Sequence, residues 1–218
     1  MTTPLEALDV LASQEVELAP SLRHLEIYTM QGLLTVLWHG APQPRHAVVA
    51  CGGAMGGLLG PAGLYQRLGE TLVGQGVDVL RVSYRRPNDL DACCLDVAAA
   101  VQLAVGAGAA KVVVMGHSFG GAVAVRVGVA IPDTVAGVVT FATQSAGCEV
   151  AGGLAPRPLL LFHGERDEIL PVETSAMVRG IAGVGELVVL PNDGHLLSKS
   201  GPILEERLAE WLPEVLGP

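Results

Sequence analysis

Ser118 lies in the sequence Gly116-His-Ser-Phe-Gly120, where glycines flank a potential hydroxyl nucleophile. A serine hydroxyl attacks a carbonyl only when a base takes its proton, and small neighbours let the chain turn sharply enough to expose it. The chain has 28 glycines and eight serines, so the pattern alone is weak support for catalysis. The alternative is that Ser118 caps the helix that follows it.

His195 is the candidate base for Ser118. Three of the six histidines precede the serine, and His117 is its immediate neighbour. His163 ends a predicted strand, where a packing role is favoured. His195 follows the last predicted strand, on a loop that can reach the serine.

Asp167 is the candidate carboxylate that would orient the base. The loop after the preceding predicted strand offers Glu165, Asp167 and Glu168. Asp167 lies far enough beyond the end of the strand for its side chain to turn towards the base. Asp193 is the competitor, but it lies two residues from His195, where it more simply shapes the turn.

Short apolar runs alternate with longer segments of helical periodicity, and these elements must position the three side chains. The predicted strands cover residues 22–30, 33–39, 47–51, 77–84, 111–116, 135–141, 158–162 and 186–190. The predicted helices cover residues 64–73, 90–105, 119–130, 172–181 and 203–212. This alternation indicates a mostly parallel sheet with helices on both faces. Ligands bind beyond the carboxyl ends of such strands, so function is expected in the loops that follow them.

The composition indicates one globular domain. Half of the 218 residues are hydrophobic and 16% are charged, which is enough to build a core without disulfides or metals. We expect this domain over residues 21–218, preceded by an N-terminal extension over residues 1–20 that includes at most a short helix. The four cysteines contain no C-x-x-C pair, so buried free thiols are favoured over a metal or redox site.

The net charge narrows the class of partner. A formal charge of −9 without a cluster of Lys or Arg argues against nucleic acid or an anionic membrane surface. No apolar stretch approaches the ~20 residues of a membrane span, and the N-terminus lacks a basic region followed by an apolar run. A soluble, cytoplasmic protein of unknown oligomeric state, acting on a small molecule, is expected.

Three segments together resemble the α/β-hydrolase superfamily, and the resemblance covers residue 22 to the C-terminus. Gly-His-Ser118-Phe-Gly-Gly resembles its nucleophile elbow, His163-Gly-x-x-Asp167 its acid loop and Asp193-Gly-His195 its histidine loop. The resemblance implies an α/β fold with a mostly parallel, eight-stranded sheet and helices on both faces. It also implies a catalytic triad of Ser118, Asp167 and His195, and no cofactor.

The same resemblance implies an oxyanion hole built from two backbone N–H groups. One belongs to Phe119, and the other to the loop that follows the strand ending at Cys51. Members of the superfamily often have His-Gly in that loop, whereas this chain has Cys51-Gly-Gly-Ala-Met-Gly-Gly57. Only backbone donors are needed, so Gly53 and Ala54 remain alternatives for the second donor. Cys51 itself is a minor alternative nucleophile without a base placed for it.

The substrate site is expected to be open. Residues 142–157, where many superfamily members insert a helical cap, are too few for several helices. This resembles the compact dienelactone-hydrolase-like enzymes and small carboxylesterases or thioesterases, although dienelactone hydrolases use cysteine where this chain has Ser118. The candidate pocket residues, each of which could simply pack, are apolar and flank the elbow: Met55, Leu58, Leu59, Phe119, Ile169, Leu196 and Leu197. They favour a neutral or apolar acyl group.

The sequence therefore predicts a serine hydrolase that cleaves carboxylic esters or thioesters through an acyl-enzyme. Two alternatives stay open. The fold can serve as a non-catalytic ligand-binding or signalling protein, or the same triad can act as an acyltransferase or perhydrolase with an acceptor other than water.

Overall fold

A mixed sheet organises residues 2–217, the part of the chain that the computed structural model describes. Its nine strands are β1 (Val10–Ala19), β2 (Leu22–Thr29), β3 (Gly32–His39), β4 (His46–Cys51), β5 (Val77–Ser83), β6 (Lys111–His117), β7 (Val135–Phe141), β8 (Leu159–Gly164) and β9 (Glu186–Leu190). The α-helices are α1 (Pro4–Ala7), α2 (Leu64–Leu72), α3 (Leu90–Gly106), α4 (Phe119–Ala130), α5 (Val172–Ala182) and α6 (Gly201–Leu216).

The strand order across the sheet is β1-β2-β3-β5-β4-β6-β7-β8-β9. Strands β4 to β9 run parallel, whereas β1, β2 and β3 are joined to their neighbours by antiparallel pairing. Parallel strands end on the same side of a sheet. The loops after β4, β6, β8 and β9 therefore meet at one edge, where ligands bind in sheets of this kind.

Helices cover both faces of the parallel part of the sheet. Residues of α3, α4 and α5 pack into one core, and residues of α2 and α6 pack into the other. In β4, Ala47, Val49 and Cys51 point into the first core, while Val48 and Ala50 point into the second. A strand buried on both faces has no polar side, which accounts for the unbroken apolar runs in the sequence. The predicted fold class is confirmed.

The N-terminal strand β1 is the element that the sequence prediction missed. The eight predicted strands correspond to β2–β9, so the count of eight is wrong by this one edge strand. All ten residues of β1 are exposed. Because both faces of the strand are exposed, its sequence is polar and acidic, like that of an extension. The sequence therefore lacks the apolar pattern by which strands are recognised. The division of the chain at residue 20 stays a prediction.

The connection between β7 and β8 carries no cap. Within residues 142–158 the regular structure is a single 3₁₀ turn, Ala151–Leu154. Ala151 and Leu154 are buried in the core beside α4 and α5, so this segment packs down onto the domain. The carboxyl edge of the sheet therefore has no helical cover from this connection, as predicted.

A buried ion pair fastens α3 to the end of β5. The backbone N–H of Arg85 donates to Asp96 Oδ2 at 2.8 Å, and its guanidinium Nε donates to Oδ1. The two side chains are only 1% and 0% exposed. Burial raises the pKa of the Asp96 carboxyl, and the hydrogen bonds and charge of Arg85 partly oppose that rise. Neither group has access to water, so each depends on the other.

We expect Asp96→Ala to lower the free energy of unfolding by roughly 3–5 kcal/mol, because it leaves the Arg85 charge buried without a partner. Asp91→Ala on the same helix is the matched control. Its carboxylate is 86% exposed and pairs with Arg126 at the surface, so a loss below about 0.5 kcal/mol is expected. Urea unfolding measures both. Equal losses in the two variants would contradict the assignment.

Candidate active site

Ser118 occupies the turn between β6 and α4 with a strained backbone. Its φ of 57° and ψ of −118° lie outside the regions that residues with a side chain normally adopt. The residue caps no helix N–H through its side chain, so the alternative of a simple capping serine is not supported. Strain of this kind persists only where the surroundings enforce it, and it is concentrated at functional sites.

Three glycines enforce the turn. A Cβ atom at Gly116 would clash with the carbonyl oxygen of Gly120. A Cβ atom at Gly120 would clash with the carbonyl oxygen of Gly52, and one at Gly121 with the Thr143 hydroxyl. Larger residues at these positions would push α4 away from β6 or from the loop after β4. The glycines therefore hold the nucleophile candidate against that loop.

Asp167 and His195 form a direct hydrogen bond across two loops. His195 Nδ1 lies 2.8 Å from Asp167 Oδ2, so Nδ1 carries the proton and donates it. The other carboxylate oxygen, Oδ1, accepts the backbone N–H groups of Ile169 and Leu170, both at 2.8 Å. Burial raises the pKa of the Asp167 carboxyl, but these donors and His195 outweigh it and hold the pKa below its usual value.

His163 places a second imidazole against the Asp167 carboxylate. This contact was not predicted from the sequence. Its side chain is fully buried, and its Nε2 lies 3.2 Å from Asp167 Oδ2 and 2.9 Å from the Leu170 carbonyl. Both neighbours are acceptors, so we assign the hydrogen to Nε2. Nδ1 lies 2.7 Å from the buried hydroxyl of Ser175, which donates to it when the ring is neutral. The spacing of four residues between His163 and Asp167 was the available signal.

His117 connects the serine turn to the histidine loop. Its Nε2 donates to the backbone carbonyl of His195 at 2.9 Å, and the two imidazole rings lie 4.9 Å apart between centroids. Burial lowers the pKa of His117, which keeps the ring neutral. Among the described residues, Ser118 Oγ makes no hydrogen bond to the His195 ring. In unliganded sites such bonds often form only when substrate is bound.

The loop after β4 lies beside Ser118. A Cβ atom built on Gly53 would sit 3.5 Å from the Ser118 Cβ, which is van der Waals contact. Two buried tyrosines hold this loop, because Tyr65 Oη donates to the Cys51 carbonyl at 3.1 Å and Tyr84 Oη donates to the Gly52 carbonyl at 2.9 Å. The loop therefore presents a fixed backbone to the serine.

The amide of Phe119 is the other expected donor. It lies in the first turn of α4, where no helix carbonyl is available to accept its hydrogen. Phe119 itself is 5% exposed and packs edge-on against Tyr84, at 6.3 Å between ring centroids. Of the two alternatives for the second donor, Gly53 lies directly beside Ser118, while Ala54 is the next residue along the same loop.

Cys51 is not placed to act as a nucleophile. The thiol is fully buried, and its sulfur donates weakly towards the carbonyls of Met115 and Gly120. Burial raises its pKa to about 12, so the thiolate is negligible near neutral pH.

Most of the candidate pocket residues are exposed on the loops that follow β4, β8 and β9. Met55 is 94% exposed, and Leu59, Ile169 and Leu196 are each more than half exposed. Leu58 is half-buried. Leu197 differs, because it is fully buried in the core beside α2 and α6. Its backbone has a positive φ, which turns the side chain away from the surface that Leu196 occupies.

A cavity of about 660 Å³ lies elsewhere, between α2 and α6. It is lined by residues of these helices and by residues at the beginning of β4 and β5, which is the opposite end of the sheet from Ser118. Within residues 2–217, no group of three or more His, Cys, Asp or Glu side chains is arranged to hold a metal ion. None of the helices in that range has the length and hydrophobicity needed to span a membrane.

Comparisons with solved structures identify the fold. Est1E from Butyrivibrio proteoclasticus aligns with a TM-score of 0.76 and 17% identity, covering 89% of this chain and 99% of that chain. Dienelactone hydrolase from Anabaena variabilis aligns with a TM-score of 0.75 and 16% identity over 93% of this chain and 98% of that chain. An alpha-beta serine hydrolase homologue from Coxiella burnetii aligns with a TM-score of 0.67 and 18% identity. The alignment covers 86% of this chain and 95% of that chain.

No family model and no curated protein sequence matches the chain. At identities of 16–18%, these structural alignments show a shared fold and leave activity to be argued from the site. The fold is that of the α/β hydrolases.

The strain at Ser118 predicts that Ser118→Gly is more stable than Ser118→Ala. Glycine adopts the positive φ without cost, whereas alanine retains the strained backbone, and we expect a difference of about 1 kcal/mol after the entropy of glycine is included. Thermal and urea unfolding of the two variants test this. A less stable glycine variant would show that the turn is not strained.

The lowered pKa of His117 predicts stability that declines in acid. The unfolded ring, with a pKa near 6.5, binds a proton more readily than the folded ring. The contribution is therefore present above about pH 6.5 and is lost as the pH falls through the folded pKa. We expect His117→Gln to lose less stability than the native chain between about pH 6.5 and 5 in urea unfolding. Parallel pH profiles would exclude this role for His117, because the other titrating groups are common to both proteins.

Proposed function

We propose that this chain with the α/β-hydrolase fold is a serine hydrolase of carboxylic esters or thioesters. The observation that carries the proposal is the His195–Asp167 hydrogen bond, on loops at the same edge of the sheet as the strained Ser118. A nucleophile, a base and an orienting acid on loops that follow β6, β9 and β8 are the three parts that acyl transfer through serine requires.

In the proposed reaction, Ser118 Oγ attacks the substrate carbonyl carbon and its proton passes to His195 Nε2. The bond between the carbonyl carbon and the alcohol or thiol then breaks, and His195 returns the proton to the leaving group. Water attacks the acyl-serine in the second half, again giving a proton to His195. The acid leaves, and the proton returns to Ser118 Oγ.

Asp167 would keep His195 in the tautomer that presents Nε2 to the serine. Its lowered pKa means that it stays ionised throughout the neutral range and stabilises the imidazolium that forms. His163 and the two backbone amides would act as positioning groups, because together they occupy both carboxylate oxygens and fix the plane of the carboxylate.

The oxyanion of the tetrahedral intermediate would be held by the backbone N–H of Phe119 and by one from Gly53 or Ala54. The position of Gly53 beside Ser118 supports this loop as the source of the second donor. The tyrosine hydrogen bonds that fix the loop would keep the donors in place before negative charge develops on the oxyanion. Oxyanion holes owe most of their rate effect to this preorganisation.

The exposed, apolar side chains of Met55, Leu59, Ile169 and Leu196 on these loops, with the half-buried Leu58, support a small, mainly neutral or apolar acyl group. The net charge of −9 also disfavours a nucleic acid or strongly anionic substrate. One similar structure is described as ferulic acid bound to Est1E, so aromatic acyl groups belong in the substrate panel.

We expect Ser118→Ala to abolish labelling by a tagged fluorophosphonate probe and to lower hydrolysis of short p-nitrophenyl esters by a factor of at least about 10³. Competition of the probe by esters and thioesters of graded acyl length then ranks the substrate class. Product analysis with added alcohol or peroxide distinguishes water from other acceptors.

Ser198→Ala is the matched control, because this serine is exposed and lies on the same loop as His195. It should retain labelling and turnover. Labelling that survives in the Ser118 variant would refute the assignment of the nucleophile. A folded native protein that takes up no probe and turns over no ester would instead favour the ligand-binding alternative.

A further inference from the structure

Strand β1 contributes nothing to the hydrophobic core. All ten of its side chains are exposed, including Val10 at 44%, Leu11 at 63%, Val16 at 41% and Leu18 at 54%. Its partner is β2, and it is the first strand in the sheet order, so its other side is an open edge. Every second residue on an edge strand points its N–H and C=O outwards, where another strand can pair with them.

The middle of this edge has little of the usual protection against pairing. Natural edge strands are commonly blunted by charged side chains, especially lysine, by proline, by β-bulges or by shortness. The sequence Val-Leu-Ala-Ser-Gln-Glu-Val-Glu-Leu-Ala of β1 is ten residues long and contains neither lysine nor proline. Its two irregularities lie near its ends, between Val10 and Ala12 and between Glu17 and Ala19. The segment between them, residues 12–17, pairs regularly with β2 and is free for pairing on its outer side.

We propose that β1 pairs with β1 of a second copy of this chain, giving a two-fold dimer with one continuous sheet. A two-fold axis perpendicular to the sheet makes the two strands antiparallel and puts residues of the same parity opposite each other. One residue then lies opposite its own counterpart in the other copy. The positions of the charged side chains in β1 determine which residue this is.

Gln14 is the residue that the charges place on the axis. An axis at Glu15 would set two carboxylates face to face, and an axis at Val16 would set Glu15 opposite Glu17. Like charges directly opposite each other destabilise a strand pair. With the axis at Gln14, Glu15 faces Ser13 and Glu17 faces Leu11, so neither carboxylate faces another.

This register also pairs apolar residues. Ala12 lies opposite Val16 of the other copy, on the face of the joined sheet that also carries Gln14. On the opposite face, Glu15 is already neutralised by Arg23 of β2 at 3.2 Å. The dimer would therefore pair Ala12 with Val16 in the regular segment without setting carboxylates opposite each other.

Sedimentation velocity over a concentration series tests the proposal. The native chain should approach twice its mass of 22.5 kDa with rising concentration. Gln14→Glu and Gln14→Lys, each alone, should raise the dimer dissociation constant by about tenfold or more, because like charges meet on the axis. An equimolar mixture of the two variants should dimerise again, because the introduced carboxylate faces the introduced ammonium.

Met177→Glu and Met177→Lys are matched controls on α5, at a side chain that is 56% exposed. They should dimerise like the native chain. Far-UV circular dichroism confirms that each Gln14 variant is folded, which the exposure of this position favours. A native chain of 22.5 kDa at every concentration would overturn the proposal. So would Gln14 variants that dimerise like the native chain, or a mixture that stays monomeric.

Discussion

The close packing of backbone against backbone at the start of α4 is the constraint on which the site depends. Gly116 leaves room for Gly120, and Gly120 in turn leaves room for the carbonyl of Gly52. This contact brings the loop after β4 against the serine turn, so two separate strands present their ends to the same point. The strained backbone of Ser118 follows from this packing, since the chain must reverse direction within a residue or two to enter the helix.

The fold could be predicted largely from the sequence because its central strands are buried on both faces. Runs such as Val112-Val-Val-Met identify such strands directly, and the longer segments between them identify the helices. The same reasoning failed for β1, whose residues are all exposed and therefore carry little signal of burial. Hydrophobic patterns in a sequence reveal elements that have a buried face, so a strand that buries none of its residues is not detected.

The candidate site was predictable as far as residue type and chain order allow. Ser118, Asp167 and His195 were predicted because they follow strands in the expected order, and the structure joins the last two by a hydrogen bond. The side chains that contact this pair were harder to predict. The contact of His163 with Asp167 and that of His117 with the His195 carbonyl depend on how the loops after β8 and β9 fold back over the strand ends, which the sequence pattern does not specify.

The short connection between β7 and β8 would affect whether an acyl intermediate reacts with water or with another acceptor. With its 3₁₀ turn packed into the domain, this segment provides no wall that could exclude solvent from the region above Ser118. Water would reach an acyl-serine there at its bulk concentration. Another acceptor could compete only by being bound and held close to the acyl group, as intramolecular reactants are. In a site without a cap, the choice between hydrolysis and transfer would be set by affinity for the acceptor and not by control of access.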